Sequence, residues 1–141
     1  TTAAEKVKPD VAIVLEGTPA DDTPGMARAS AQGALGQGVQ IRLQDPTAVM
    51  NPSLVDFAVA VAEKENINYQ LAVRSSGGTD ARAFQLSGTG VPTIVLGVPA
   101  RYIHSHNAVI DVRDYHAMVK LAIAMVERLD QAEVDALTSY L

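Results

Sequence analysis

The sequence predicts an α/β fold, a three-layer arrangement in which a sheet that is at least partly parallel carries helices on both faces. Three observations lead there. Short apolar runs of strand length alternate with longer segments of helical spacing. The hydrophobic share is 48% with only 4% aromatic residues and no Trp, which makes a core of Val, Ile, Leu and Ala that suits a sheet beneath helices. Finally, 141 residues supply one domain with a core of its own, and no internal repeat or low-complexity tract divides them.

Taken in order, Val11 to Leu15 is a nearly continuous apolar run bounded by Pro9 and Gly17 and reads as a buried strand, with Glu16 at its end. Gly17 to Gly38 is rich in Gly, Ala, Asp, Pro and Thr without a sustained period and reads as a long loop. Val39 to Leu43 alternates apolar and polar residues, the pattern of a strand with one wet face near a sheet edge. Asn51-Pro52 joins an N-cap to a proline in the first helical turn, and Leu54, Phe57, Ala58 and Val61 recur at helical spacing, so a helix runs from Pro52 to about Asn66.

Tyr69 to Val73 is the next strand, broken by Ser75-Ser76-Gly77-Gly78, and Thr79 can cap a short helix reaching about Leu86. Ser87 to Gly90 ends that helix, and Pro92 to Val98 is the most apolar strand of the chain. After the polar turn Arg101 to His106, Asp111 caps a long helix with Tyr115, Met118, Val119, Ala122, Met125, Val126 and Leu129 on one stripe. A helical turn or two from Gln131 to Leu141 closes the sequence. The chain opens on Thr1-Thr2-Ala3-Ala4 without an initiator Met and enters a strand pattern almost at once, so it reads as a piece of something longer.

Several function classes are excluded by composition. With no Cys there is no disulfide scaffold, no cysteine nucleophile and no thiolate ligand, so any metal rests on His and carboxylates. A net charge of −5 and a pI near 5.0 offer no basic field to a nucleic acid or an anionic membrane. No apolar stretch approaches the roughly 20 residues of a spanning helix and no signal-peptide pattern opens the chain, which points to a cytoplasmic protein. Neither a Gly-x-Ser-x-Gly elbow nor a phosphate-binding or dinucleotide fingerprint is present.

Chemistry gathers at three polar elements that each follow a strand: Glu16, the segment Ser75 to Asp80, and Arg101 to His106. If those strands are parallel neighbours, their carboxyl ends share one sheet edge and the three elements meet in one crevice. A carboxylate behind an apolar run begins partly buried and needs a cation or a donor network. For Glu16 that is a metal ion or loop amides. Asp21 and Asp22 read as turn formers. Gly77-Gly78-Thr79-Asp80 leads into a helix N-terminus and suits either a substrate anion or a tight capped turn. His104 and His106 sit two apart, which fits one ligand and its neighbour, while His116 on the long helix reads as a surface or boundary residue.

Together, Val14-Leu15-Glu16-Gly17-Thr18-Pro19-Ala20-Asp21-Asp22-Thr23-Pro24-Gly25, Ser76-Gly77-Gly78-Thr79-Asp80-Ala81, Gly90-Val91-Pro92-Thr93 and Arg101-Tyr102-Ile103-His104-Ser105 resemble the glutamyl aminopeptidase and tetrahedral-aminopeptidase family of dinuclear metallopeptidases. Some members of that family carry an endoglucanase label. Order and spacing match the C-terminal half of the catalytic domain over nearly all of residues 1–141. The resemblance implies a pair of divalent ions, zinc or cobalt, activating a water that attacks the first peptide bond of a short peptide.

It also implies that Glu16 and His104 are metal ligands and that Thr79, Asp80 and Arg101 shape or support the substrate cleft. A further histidine, a bridging aspartate and a Glu-Glu pair that supplies the general base would all precede Thr1, so no catalytic residue is expected in this chain. The expectation is therefore a portion of a metallo-aminopeptidase, inactive alone, whose partners are peptide substrate, the missing upstream half and further copies in a homo-oligomer. A stand-alone, non-catalytic α/β domain used for binding or assembly is the competing reading. Deacylation or glycan cleavage at the same metals is a third.

Overall fold

The structure, a computed structural model, describes residues 2–26 and 31–138. A six-residue helix, α1 (Thr2–Val7), precedes β1 (Ala12–Pro19), and β2 (Val39–Asp45) turns into the two-residue β3 (Ala48–Val49). Helix α2 (Pro52–Lys64) leads to β4 (Tyr69–Val73), and the short α3 (Ala81–Gln85) leads to β5 (Thr93–Arg101). After β6 (Val109–Ile110) come α4 (Val112–Arg128) and α5 (Gln131–Thr138). The final residues of the closing helical segment read from the sequence, 139–141, lie outside the described residues, as do 27–30 of the long loop.

The helix starts follow from local chemistry. Asn51 is extended at φ −62° and ψ 120°, and its Oδ1 accepts from the Leu54 amide at 2.9 Å, while Pro52 fills a position whose N–H would have no partner. Asp111 does the same for α4, accepting from the Arg113 amide at 2.8 Å. At α3 the Thr79 hydroxyl accepts from the Ala81 amide at 3.3 Å, whereas Asp80, at the N-cap, makes no capping bond with its side chain.

The sheet is mixed. β1 pairs with β5 in parallel along its whole length, Ala12 opposite Thr93 through Pro19 opposite Ala100. β2 pairs antiparallel with β5 and parallel with β4, and β2, α2 and β4 form one βαβ unit. β4 therefore runs opposite to β1 and β5 and is separated from them by β2, so the shared-edge argument holds only for the elements that follow β1 and β5. Both of those strands run longer than their apolar cores suggest. Glu16 lies inside β1 rather than at its end, and Arg101 is the last residue of β5.

Pairing fixes which side chains share a face. Glu16, Gly97, Gln40 and Gln70 stand in one row, with Val14, Val95, Arg42 and Ala72 on the same face beside them. The other face carries Ile41 and Leu96, both fully buried, and is covered by α2 and α4 through Leu54, Ala58, Val61, Leu121 and Met125. α3 lies against β1 and β5 on the Glu16 side and buries Ala81 there. Helices on both faces of an α/β sheet are thus present.

β2 is no wet-faced edge strand. Its polar residues Gln40 and Arg42 are buried beneath the long loop and the segment after β4, so the alternation records two different buried faces. The stripe on α4 is also rotated from the expected one. Met118, Leu121, Ala124 and Met125 point inward, whereas Tyr115 and Val126 are 45% and 65% exposed. Leu121→Ala should accordingly cost about 2–5 kcal/mol of unfolding free energy through the cavity it leaves. Ile123→Ala, at a position 54% exposed, should change stability by about 0.5 kcal/mol or less, both read from urea denaturation.

Candidate functional site

Glu16 is half-buried on a face that α2 and α4 leave open, and its Oε1 accepts from the Asp80 backbone amide at 3.3 Å. Burial raises its pKa above the ordinary carboxylate value, outweighing that amide and the nearby Arg42 charge, which both act to lower it. Among the described residues no cation forms an ion pair with it. This contact brings together two of the three polar elements despite the reversed direction of β4.

The Ser75 to Asp80 segment is held in place by a buried charge network. Asp45 Oδ2 accepts from Arg42 Nη1 at 3.1 Å and from the Thr79 hydroxyl at 3.3 Å, and Asp45 Oδ1 accepts from the Thr47 amide at 2.8 Å and hydroxyl at 2.7 Å. Burial opposes ionisation of Asp45, but the Thr47 donors and Arg42 prevail and hold its pKa below the usual value. The two glycines of the segment do different things. Gly77 takes φ +77°, the left-handed region, and Gly78 lies so near Thr47 that a Cβ would stand 2.6 Å from Thr47 Cγ2.

The histidine turn links β5 to β6, with Ala100 opposite Ile110 and Arg101 opposite Val109. Tyr102 and His104 both take positive φ, 58° and 63°, a conformation uncommon for residues with a side chain. Ser105 Oγ lies 2.5 Å from the Tyr102 carbonyl and 2.9 Å from the Asn107 carbonyl, bracing the turn from within. Ile103 Cδ1 stands 3.6 Å from where a Cβ on Gly17 would be, so the turn packs beside β1. The His104 ring is exposed, and among the described residues it has no hydrogen bond or ion pair. His106 and His116 are exposed as well, and the His116 ring meets Tyr115 edge-on at 5.7 Å.

Asp21 and Asp22 do more than form a turn. Arg101 donates two hydrogen bonds to Asp22, Nε to Oδ1 at 2.7 Å and Nη2 to Oδ2 at 2.8 Å, and the Leu35 amide donates to Oδ2 at 2.9 Å. Arg74 Nη1 donates to Asp21 Oδ2 at 3.0 Å and lies 3.4 Å from the Pro19 carbonyl. One carboxylate thus takes the arginine at the base of the histidine turn, and its neighbour takes the arginine that begins the Ser75 to Asp80 segment. A signal for this was available: each arginine stands at the end of a strand, and the loop after β1 carries two adjacent acids. Asp114, by contrast, has a role with no sequence trace: its buried carboxylate accepts from the Gly36 and Gly38 amides at 2.7 and 2.8 Å and so fixes the end of the long loop.

Glu16 and His104 are of the right type for divalent zinc or cobalt, a carboxylate without an ion-pair partner and an imidazole without a hydrogen bond among the described residues. They do not complete a site. Among the described residues no group of three or more His, Asp or Glu is placed to hold a metal ion. No helix there is long and apolar enough to cross a membrane.

Comparison with known proteins finds relatives along nearly the whole chain. The family model described as M42 glutamyl aminopeptidase matches residues 1–121. The glutamyl aminopeptidase of Lactococcus lactis subsp. cremoris is 33% identical over 135 residues, which cover 96% of this chain and 37% of that protein. The TET aminopeptidase structure from a marine sediment archaeon, Thaumarchaeota archaeon SCGC AB-539-E09, superposes with a TM-score of 0.94 at 36% identity, covering 97% of this chain and 38% of that one. The TET1 peptidase of Pyrococcus horikoshii, described as able to assemble into a tetrahedron or a large octahedral shell, has a TM-score of 0.66 at 30% identity over 84% of this chain and 34% of its own. The chain therefore spans under two fifths of the length of these relatives.

The Arg101 ion pair sets a pH dependence. The hydrogen bond from Arg101 lowers the Asp22 pKa from 3.8 to about 2 against the opposing effect of burial, with the Leu35 amide adding to the lowering. A depressed carboxylate contributes stability that is fully present above its unfolded pKa and is lost as pH falls through the folded one. Thermal unfolding followed by circular dichroism should show this contribution intact above about pH 4 and fading toward pH 2. In Asp22→Asn the loss of stability over that window should be shallower.

Proposed function

The chain belongs to the M42 glutamyl aminopeptidase family, and from that membership we propose that it is the C-terminal portion of a metal-dependent aminopeptidase catalytic domain, contributing ligands and inactive by itself. The observation that carries the reading is Glu16, a half-buried carboxylate with no ion-pair partner among the described residues, held by the Asp80 amide on a face that no long helix covers. When bound, a pair of zinc or cobalt ions supplies an activated water and polarises the scissile carbonyl.

This chain's residues hold and orient. Glu16 accepts from the Asp80 amide with one oxygen, and its other oxygen has no hydrogen bond among the described residues and is left for an ion. His104 presents its imidazole from a braced turn as the second ligand. Thr79 and Asp80, carried by the Asp45 network, shape the substrate side, and Arg101 supports it from below. The general base and the remaining ligands belong to the segment upstream of Thr1. Short peptides with a free N-terminus are the substrate class, and a homo-oligomer is the expected assembly, as in the shells described for the Pyrococcus horikoshii relative.

The test uses the open reading frame that includes the segment upstream of Thr1. Its product should bind two divalent ions and release N-terminal residues from short peptides. Glu16→Ala and His104→Ala should each lower the metal content and cut turnover on the order of 100-fold or more. Full metal content and activity in the doubly substituted protein would sink the proposal. A product that binds no metal would favour the stand-alone binding or assembly domain instead.

A further inference from the structure

We infer that the Asp21-Asp22 dipeptide is a positioning clamp: each carboxylate takes the arginine of a different site segment and holds that segment in register with Glu16 on β1. The inference deepens the proposed function and rests on it for the identity of the ligands. Its geometric part stands on the ion pairs alone.

The need for a clamp follows from topology. β1 and β5 are parallel and adjacent, but β4 runs the other way beyond β2, so strand pairing does not bring the end of β4 to the end of β1. Arg74 does. It is the first residue after β4 and is buried, and it reaches both Asp21 and the Pro19 carbonyl that closes β1. The next residue joins in, because Ser75 Oγ accepts from Gln32 Nε2 at 3.0 Å while the Gln32 amide donates to Asp21 Oδ2 at 3.3 Å.

Strain makes the second arm necessary. Tyr102 and His104 are held at positive φ, and such backbone persists only where the surroundings over-determine it. The ladder with β6 is only two residues long. The paired guanidinium bonds of Arg101 fix both position and plane at the point where the chain leaves β5, and their acceptor, Asp22, is itself fixed by the Leu35 amide. Arg101 on this account is a positioning residue that acts on His104 through the turn.

The two arms make separate demands, and that is how they are tested. Backbone amide order parameters are measured by NMR on the metal-free chain, and zinc chloride is titrated separately into the complete protein, with the segment upstream of Thr1, while the His104 imidazole signals are followed. Asp22→Asn and Arg101→Gln should each drop residues 102–107 from a rigid value near ~0.85 to below ~0.6 while leaving α4 rigid. They should also weaken the zinc dependence of the His104 signals by about 10-fold or more. Asp21→Asn should loosen residues 75–80 and leave 102–107 as they were.

Arg113→Gln, which removes the exposed pair with Asp111 at 2.6 Å, should change neither segment. Unchanged order at 102–107 in both Asp22→Asn and Arg101→Gln would overturn the clamp, as would loosening of both segments by every substitution. If Asp22→Asn fails to fold, Arg101→Gln keeps the Asp22 bond to Leu35 and decides the matter. His104 signals that ignore zinc in the unsubstituted complete protein would count against the ligand reading, while the order parameters decide the clamp.

Discussion

Everything in this chain is built against β5. From Thr93 to Ala100 every residue of that strand is buried, and its backbone is shared by β1 on one side, β2 on the other and β6 at its end. A strand buried on both faces cannot slip by one residue without turning its side chains into the wrong layer. That fixes the row in which Glu16 stands beside Gly97 and Gln40. Gly97 has to be a glycine in this row, because a Cβ there would lie 2.3 Å from Thr18 Cγ2. The open face above Glu16 is therefore a consequence of packing below it.

Backbone pairing stops short of gathering the site, and charge completes it. The sheet reverses direction between β5 and β2, which sends the segment after β4 away from the segment after β1. Three arginine and carboxylate pairings recover it: Arg42 with Asp45 beneath the glycines, Arg74 with Asp21, and Arg101 with Asp22. The first two are well shielded on at least one partner, the setting in which such pairs are least screened by salt and most costly to break one-sidedly, and Arg101 with Asp22 is part-buried. Exposed pairs such as Arg113 with Asp111 follow a different rule and contribute little.

Local signals in the sequence proved legible where the cause was local. Asn51-Pro52 marks the start of α2 to the residue, Asp111 marks that of α4, and the run Tyr69 to Val73 gives β4 both its ends. Strand ends were harder where a neighbour rather than composition sustains the strand. β1 continues through Glu16, Gly17 and Thr18 because β5 supplies partners, although the apolar run has ended. The two-residue strands β3 and β6 and the helix α1 have too little pattern to detect. Gln40 and Arg42 looked solvated because alternation is blind to a loop that later covers the polar face. Asp21 and Asp22 meet partners 53 and 79 positions away, a separation that leaves no periodic trace.

Glu16, a half-buried carboxylate, and His104, an exposed imidazole on a turn with positive φ, are the ligands proposed for a metal site in a family whose described relatives are more than twice as long. The direct test is a crystal structure of the complete protein grown with cobalt and examined by anomalous scattering. The account predicts anomalous peaks in contact with the Glu16 carboxylate and the His104 imidazole, with Arg101 still seated on Asp22. Cobalt held without either side chain would contradict it.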